Sequence, residues 1–438
     1  MKKLFSVFSL ILVIAGIFAL SSCGEKKFED MTPQEQAVYL FTKSNDVIKS
    51  ATSYELEVNG TISTTAGTSK ISGTISGSEI LYGLGTEEFF HSENSDVYLS
   101  VDDKAAPAVK STIGYVDGYM YQKYQQGSTD AIRYKSTISQ SDYVKFMEYR
   151  SESVIDVDPI NFSSFDVSVG EKGRYTVKIS GCGEDGAKEL IDSFGAEGIF
   201  DNTKVKDVEV EAVITSSFYP VSMSMRFVFD GEASFEYGAK YYSVGSLEKP
   251  DEEVKLGNYT KIEDIRVLYY LADELEERKS HDNGSYTLSA FFDGSKQGSV
   301  IDVEYSTDEE GKLTWEIFMK DYGSDGAQVI ETSMKYSDEV VKITTPTEKY
   351  TRILEESNAR EFVDTYLDPF VYNPLAITRM TVETNNDGET IYKITASGGT
   401  YVVTVDGERI VTLTGEAKEK GNTTKIIYTW EFNEQETE

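Results

Sequence analysis

Cysteine, histidine and carboxylate side chains carry much of protein chemistry, and here the first two are nearly absent: Cys23 and Cys182, His91 and His281, against 75 Asp and Glu in 438 residues. Neither histidine stands in a paired metal spacing, and no cysteine pair remains to hold zinc. A Gly-x-Ser-x-Gly nucleophile elbow, a Walker A loop and a dinucleotide fingerprint are all missing. Gly73-Thr74-Ile75-Ser76-Gly77 places its serine one residue late, inside a strand pattern. Both histidines are expected at the surface. With so many carboxylates, no pair is informative without geometry. Cys182 lies in Gly181-Cys182-Gly183-Glu184-Asp185, where carboxylates should raise its pKa, and it reads as a small buried or half-buried thiol. No catalytic residue, no cofactor site and no metal ligand is assigned. The expectation is a non-enzyme.

Cys23 is different, because its neighbours give it a chemical fate. Lys2 and Lys3 form a positive start, Leu4 to Leu20 an apolar run, and Ser21-Ser22 two small residues before the thiol. This resembles the lipobox of bacterial lipoproteins, which implies removal of residues 1–22 and a diacylglyceryl group on Cys23. The other reading is an uncleaved membrane anchor at the short end of the spanning range, about 17 residues. Both place the body outside the cytoplasm, at the cell membrane. Losing Lys2 and Lys3 moves the formal charge from -33 to -35. Nucleic acid is thereby excluded as a partner, since its phosphates would be repelled. An anionic bilayer would repel the body too, leaving the lipid on Cys23 to hold it. Asp321-Tyr322-Gly323-Ser324-Asp325-Gly326 resembles the start of a calcium loop, but glycine at its third position and Thr332 at its twelfth favour a turn between strands. Asp308-Glu309-Glu310-Gly311 reads as a charged hairpin tip.

The elements that carry these residues are mostly strands. Tyr54, Leu56 and Val58 alternate with Glu55, Glu57 and Asn59, and the same period-two pattern runs through Val221, Met223, Met225, Phe227 and Phe229 and through Leu313, Trp315, Ile317 and Met319. Asp117-Gly118, Asp230-Gly231, Asp387-Gly388 and Asp406-Gly407 supply hairpin turns. Helices are expected from Thr32-Pro33-Gln34-Glu35, with Ala37, Phe41, Ser44, Ile48 and Ala51 on one stripe, and from Thr260-Lys261-Ile262-Glu263, with Ile265, Leu268, Ala272 and Leu275. A strand-starting tyrosine follows each, Tyr54 and Tyr286.

Landmarks recur at near-constant offsets. Tyr134 and Tyr350 lie 216 apart (350 minus 134), as do Ser141 and Ser357, which could cap a short helix, and Phe146 and Phe362. Asp158-Pro159 and Asn373-Pro374, then Tyr175 to Gly181 and Tyr392 to Gly398, follow within one residue of that offset. The chain therefore reads as a duplicated unit. An amphipathic stripe of Ala187, Leu190, Ile191 and Phe194 gives the first copy an extra helix. The expected domains are residues 1–22 as signal peptide, 23–31 as polar tether, 32–245 as first unit, 246–259 as linker and 260–438 as second unit.

The pattern resembles the half-barrel fold of bacterial lipoprotein carriers and their lipid-carrying lipoprotein relatives, here in two copies. That resemblance implies an α+β architecture of two tandem curved antiparallel sheets, each with an N-terminal helix and a short mid-domain helix packed on the concave side. It implies a hydrophobic ligand, such as a lipid, in the curved-sheet cavities. The alternative is a pair of solid half-barrels that bind an envelope protein or glycan. Met223, Met225 and Phe227 suit either a pocket or an ordinary core. No residue of a ligand site is assigned.

Overall fold

The computed structural model describes residues 27–66, 69–152, 159–193, 204–251, 254–280, 283–308, 312–355, 358–360, 362–363, 377–396, 399–407, 409–418 and 425–432. Residues 1–22, Cys23, His281, Asp158, Phe194, 309–311, Ser357, Asn373, Pro374, Ser397 and Gly398 lie outside them. No helix among the described residues is long and apolar enough to cross a membrane. The chain divides into two compact units, Met1–Tyr259 and Thr260–Glu438.

The first unit opens with α1 (Pro33–Ser50), started by the expected capping box: Thr32 N–H donates to Glu35 Oε2 at 2.7 Å and Glu35 N–H to Thr32 Oγ1 at 3.3 Å. Just before it, residues 28–30 form a turn whose Phe28 ring packs on Tyr39 and Tyr175, so the tether's last residues are docked. The strands are β1 (Tyr54–Ala66), β2 (Ser69–Tyr82), β3 (Phe90–Val101), β4 (Lys104–Ala105), β5 (Val109–Val116), β6 (Tyr119–Gln126), β7 (Ile132–Thr137), β8 (Ser164–Val169), β9 (Tyr175–Ser180), β10 (Val205–Ile214), β11 (Pro220–Phe229) and β12 (Ser234–Tyr242). They pair antiparallel in the order β7-β6-β5-β3-β2-β1-β12-β11-β10-β9-β8, with β4 beside β3. Between them lie α2 (Gln140–Glu152) and the extra helix α3 (Gly183–Ser193), whose Ala187, Leu190 and Ile191 are buried, with the helix against β10. The cap of α2 is Ser139 rather than Ser141, because Ser139 Oγ accepts from Asp142 N–H at 3.1 Å.

The second unit has β13 (Thr260–Lys261), α4 (Ile265–Ser280), β14 (Asn283–Phe292), β15 (Gly298–Thr307), β16 (Leu313–Tyr322), β17 (Gln328–Ser337), β18 (Val340–Thr344), β19 (Lys349–Ile353), β20 (Ile377–Thr384), β21 (Thr390–Ala396), β22 (Gly399–Asp406), β23 (Arg409–Lys418) and β24 (Lys425–Phe432). Its sheet order is β19-β18-β17-β16-β15-β14-β24-β23-β22-β21-β20. With β4 and α3 set aside, this is the order of the first unit. Tyr134 and Tyr350 fall in β7 and β19, Phe146 in α2 and Phe362 in the helical residues 362–363, and Tyr175 and Tyr392 in β9 and β21. The helix expected at Thr260 begins instead at Ile265. Asp264 is the better cap, its Oδ1 accepting from Arg266 N–H at 3.0 Å, and Thr260-Lys261 lacks the proline that starts α1.

Each fold is thus a curved antiparallel sheet with helices on its concave side. In the first unit Phe41, Ser44, Asn45 and Ile48 of α1 meet Ala212, Ile214, Met223 and Tyr241 across a void of about 20 Å³. In the second, Ile265, Leu268 and Ala272 of α4 are buried and Glu274 accepts from the Ile410 backbone N–H.

Candidate functional site

Register places an unusual row of side chains on the concave face of the first unit. Read across neighbouring strands, Leu56, Glu79, Glu93, Ile113, Gln122 and Tyr134 stand opposite one another, and one step along the strands so do Tyr54, Leu81, His91, Tyr115, Met120 and Ser136. Alternation points these residues inward, so a histidine and two carboxylates enter the core. His91 is 1% exposed, Glu79 2% and Glu93 4%, which overturns the expectation of a surface histidine. Its neighbours in β3, Ser92 and Ser95, are polar and buried as well, so hydropathy gave no sign of the inward face.

The buried groups are joined. Glu79 Oε1 accepts from the Tyr54 hydroxyl at 2.7 Å and lies 3.1 Å from His91 Nε2, while His91 Nδ1 is 2.7 Å from the Tyr143 hydroxyl on α2. Tyr134 donates to Gln122 at 2.9 Å beside them. Burial, reinforced by the charge of Glu79, pushes the Tyr54 hydroxyl well above its usual range. Burial also raises Tyr237 and Tyr241, with Glu79 adding to both. Tyr143 packs in turn on Phe89, Tyr115 and Phe146. Every member of the Tyr54–Glu79–His91–Tyr143 chain is buried. Its physical effect is to fasten α2 to the sheet by directed hydrogen bonds.

The second unit solves the same position differently. Its corresponding rows are Tyr286, Val303, Ile317, Met334, Ile343, Tyr350 and Gly284, Tyr305, Trp315, Tyr336, Val341, Arg352. Glu79, His91, Glu93 and Gln122 are thus matched by Val303, Trp315, Ile317 and Ile343. Trp315 stacks between Tyr336 and Phe362, each at 5.5 Å, so an aromatic sandwich replaces the polar clamp. Its Nε1–H is buried without a hydrogen-bond partner.

Cys182 is a free, half-buried thiol, pushed up to about 11 first by burial and then by Asp207, to which it donates at 3.4 Å. The carboxylate that matters is Asp207, which also accepts from the Gly181 and Cys182 N–H groups, rather than the neighbouring Glu184 or Asp185. Such a thiol is a poor nucleophile. The stretch from Asp321 to Gly326 closes a turn between β16 and β17, with Asp325 accepting from Ala327 N–H at 2.9 Å. Among the described residues no three His, Cys, Asp or Glu side chains are arranged to hold a metal.

A groove of about 690 Å³ lies in the second unit. Its charged lining, Glu304, Glu316, Lys335 and Lys342, comes from one outward-facing row across β15 to β18. Glu316 and Lys335 pair at 2.6 Å in the middle. The volume is within the range of ligand sites, about 300–1,000 Å³, and the lining mixes these charges with the aromatic rings of Tyr305, Trp315 and Tyr336.

The chain matches no protein-family model and no curated protein. Among solved structures it is similar to LprF from Mycobacterium bovis, at 10% identity over 40% of this chain and 96% of that one, with a TM-score of 0.27. It is also similar to a mutant of the vaccine antigen Transferrin Binding Protein B from Haemophilus parasuis, at 8% identity over 88% of this chain and 77% of that one, with a TM-score of 0.13.

Proposed function

We propose that this chain is a non-catalytic lipoprotein, anchored through Cys23 on the outer side of the cell membrane, whose solid half-barrels bind an envelope protein through their surfaces. The anchor is supported by the run from Lys2 to Cys23. The binding mode rests on one observation: the methionine and phenylalanine face that could have held a lipid is filled. Met223, Met225 and Phe227 of the first unit are buried, and where α1 meets Met223 the space left holds about one water. A protein is favoured because the groove of the second unit carries both signs of charge, Glu304 and Glu316 then Lys335 and Lys342, which complementary side chains of a partner can pair.

Native mass spectrometry of the chain secreted without its anchor, compared with the denatured mass, tests this. A single mass equal to that of the polypeptide is expected. A co-purifying lipid in stoichiometric amount would overturn the filled half-barrel and restore the carrier reading.

A further inference from the structure

β19 ends the sheet of the second unit. It is bonded on one side to β18, all five of its residues are exposed, and Ile353 is 84% exposed. The ladder shows which groups face outward. Leu354 N–H donates to the Glu339 carbonyl and Thr345 N–H to the Glu348 carbonyl, at the two ends of the β18–β19 pair. Alternation along an antiparallel ladder then gives Tyr350 and Arg352 the bonds to β18 and turns the N–H and C=O of Lys349, Thr351 and Ile353 to the open edge. No described residue pairs with that edge.

The equivalent strand of the first unit is not left open. Beside β7, Lys135 Nζ donates to the Leu256 carbonyl at 2.8 Å, and the Tyr259 ring packs edge-on against Tyr121 of β6 at 5.8 Å. Tyr134 and Ser136 are fully buried there.

We propose that β19 pairs antiparallel with β19 of a second copy of this chain, joining two second-unit sheets across a two-fold axis through Thr351. Two-fold pairing has to match residues on the same face, which leaves registers centred on Tyr350, Thr351 or Arg352. A centre at Arg352 sets that cation against its own copy, and a centre at Tyr350 leaves Ile353 unpaired. The Thr351 register uses all three open residues of both strands. It sets Thr351 against Thr351, Lys349 against Ile353, and Arg352 against Tyr350, repeating between copies the Arg352–Tyr350 contact made within the strand at 5.5 Å. Lysine and arginine on an edge discourage indiscriminate pairing; the Thr351 register opposes no like charges while pairing every open residue. The inference is independent of whether the half-barrels are filled.

Cross-linking of the full chain in mild detergent, with Cys182→Ser to remove the other thiol, tests the register. Thr351→Cys should form an intermolecular disulfide on mild oxidation, since hydrogen-bonded partners lie about 5.5 Å apart at Cα, within disulfide reach. Lys342→Cys, one strand inward, should not. Thr351→Pro removes an outward N–H without touching the ladder to β18, so it should keep its circular dichroism and convert a dimer to a monomer by light scattering. Equal cross-linking of the two cysteine variants, or a wild-type chain that is monomeric at its highest soluble concentration, would overturn the proposal.

Discussion

At the scale of single residues, the first unit places Glu79 and His91 where its duplicate places Val303 and Trp315. A buried hydrogen-bonded pair adds little net stability, yet breaking it is costly, because the surviving group keeps its desolvation penalty without its partner. Glu79→Val removes the acceptor of both Tyr54 and His91 and is expected to cost about 3 kcal/mol. Adding His91→Phe should return part of that loss, so a double-mutant cycle read by urea unfolding should give a coupling of about 1–3 kcal/mol. Strictly additive losses would show that the two side chains do not act together. None of this was legible in hydropathy, because His91, Glu93 and Ser95 point inward among residues that are polar on both faces of β3. The repeat did contain the signal: Tyr115 and Tyr336 each precede a hairpin turn by two residues, and the residues paired with them are His91 and Trp315. Laying the copies over one another would have set a histidine on a core tryptophan.

At the scale of elements, the sequence was most readable where backbone chemistry is local. The capping box of α1 and the four Asp-Gly hairpins all occur where turn and cap preferences place them, because a proline, a glycine or a capping side chain decides the conformation within four residues. The start of α4 is shifted because threonine and aspartate are both N-cap residues, and Asp264 takes over from Thr260. The duplicate hairpins also show a flaw. The β5–β6 turn uses Asp117 (φ 51°) and Gly118 (φ 79°), whereas β17–β18 uses Asp338 (φ 51°) and Glu339 (φ 60°). A side chain in the left-handed region costs about 1 kcal/mol that glycine avoids. Glu339→Gly should therefore raise the stability of the second unit by up to about 1 kcal/mol in a chemical-denaturation midpoint. A lowered midpoint would mean that Glu339 makes a compensating contact.

At the scale of the molecule, the two units share a strand order but not a stabilising chemistry, and each has its own core. Urea unfolding followed by hydrogen exchange and mass spectrometry is expected to resolve two transitions, with Glu79→Val moving only the one reported by β1 to β12. A concerted shift of both would show that they unfold together. Fold class was legible because period-two alternation and turn spacing are repeated some twenty times. What those patterns could not give was whether the concave faces were hollow, since a pocket and a core are written with the same apolar residues.

In each unit the first long strand and the last strand lie side by side: β1 bonds to β12, with Leu56 opposite Tyr241, and β14 bonds to β24, with Leu288 opposite Trp430. The middle of the sheet therefore remains unfinished until nearly the whole unit has been synthesised, which makes contact order high and folding slow. The export proposed above calls for an unfolded polypeptide, and a topology whose keystone arrives at the end is one that would keep an emerging chain threadable.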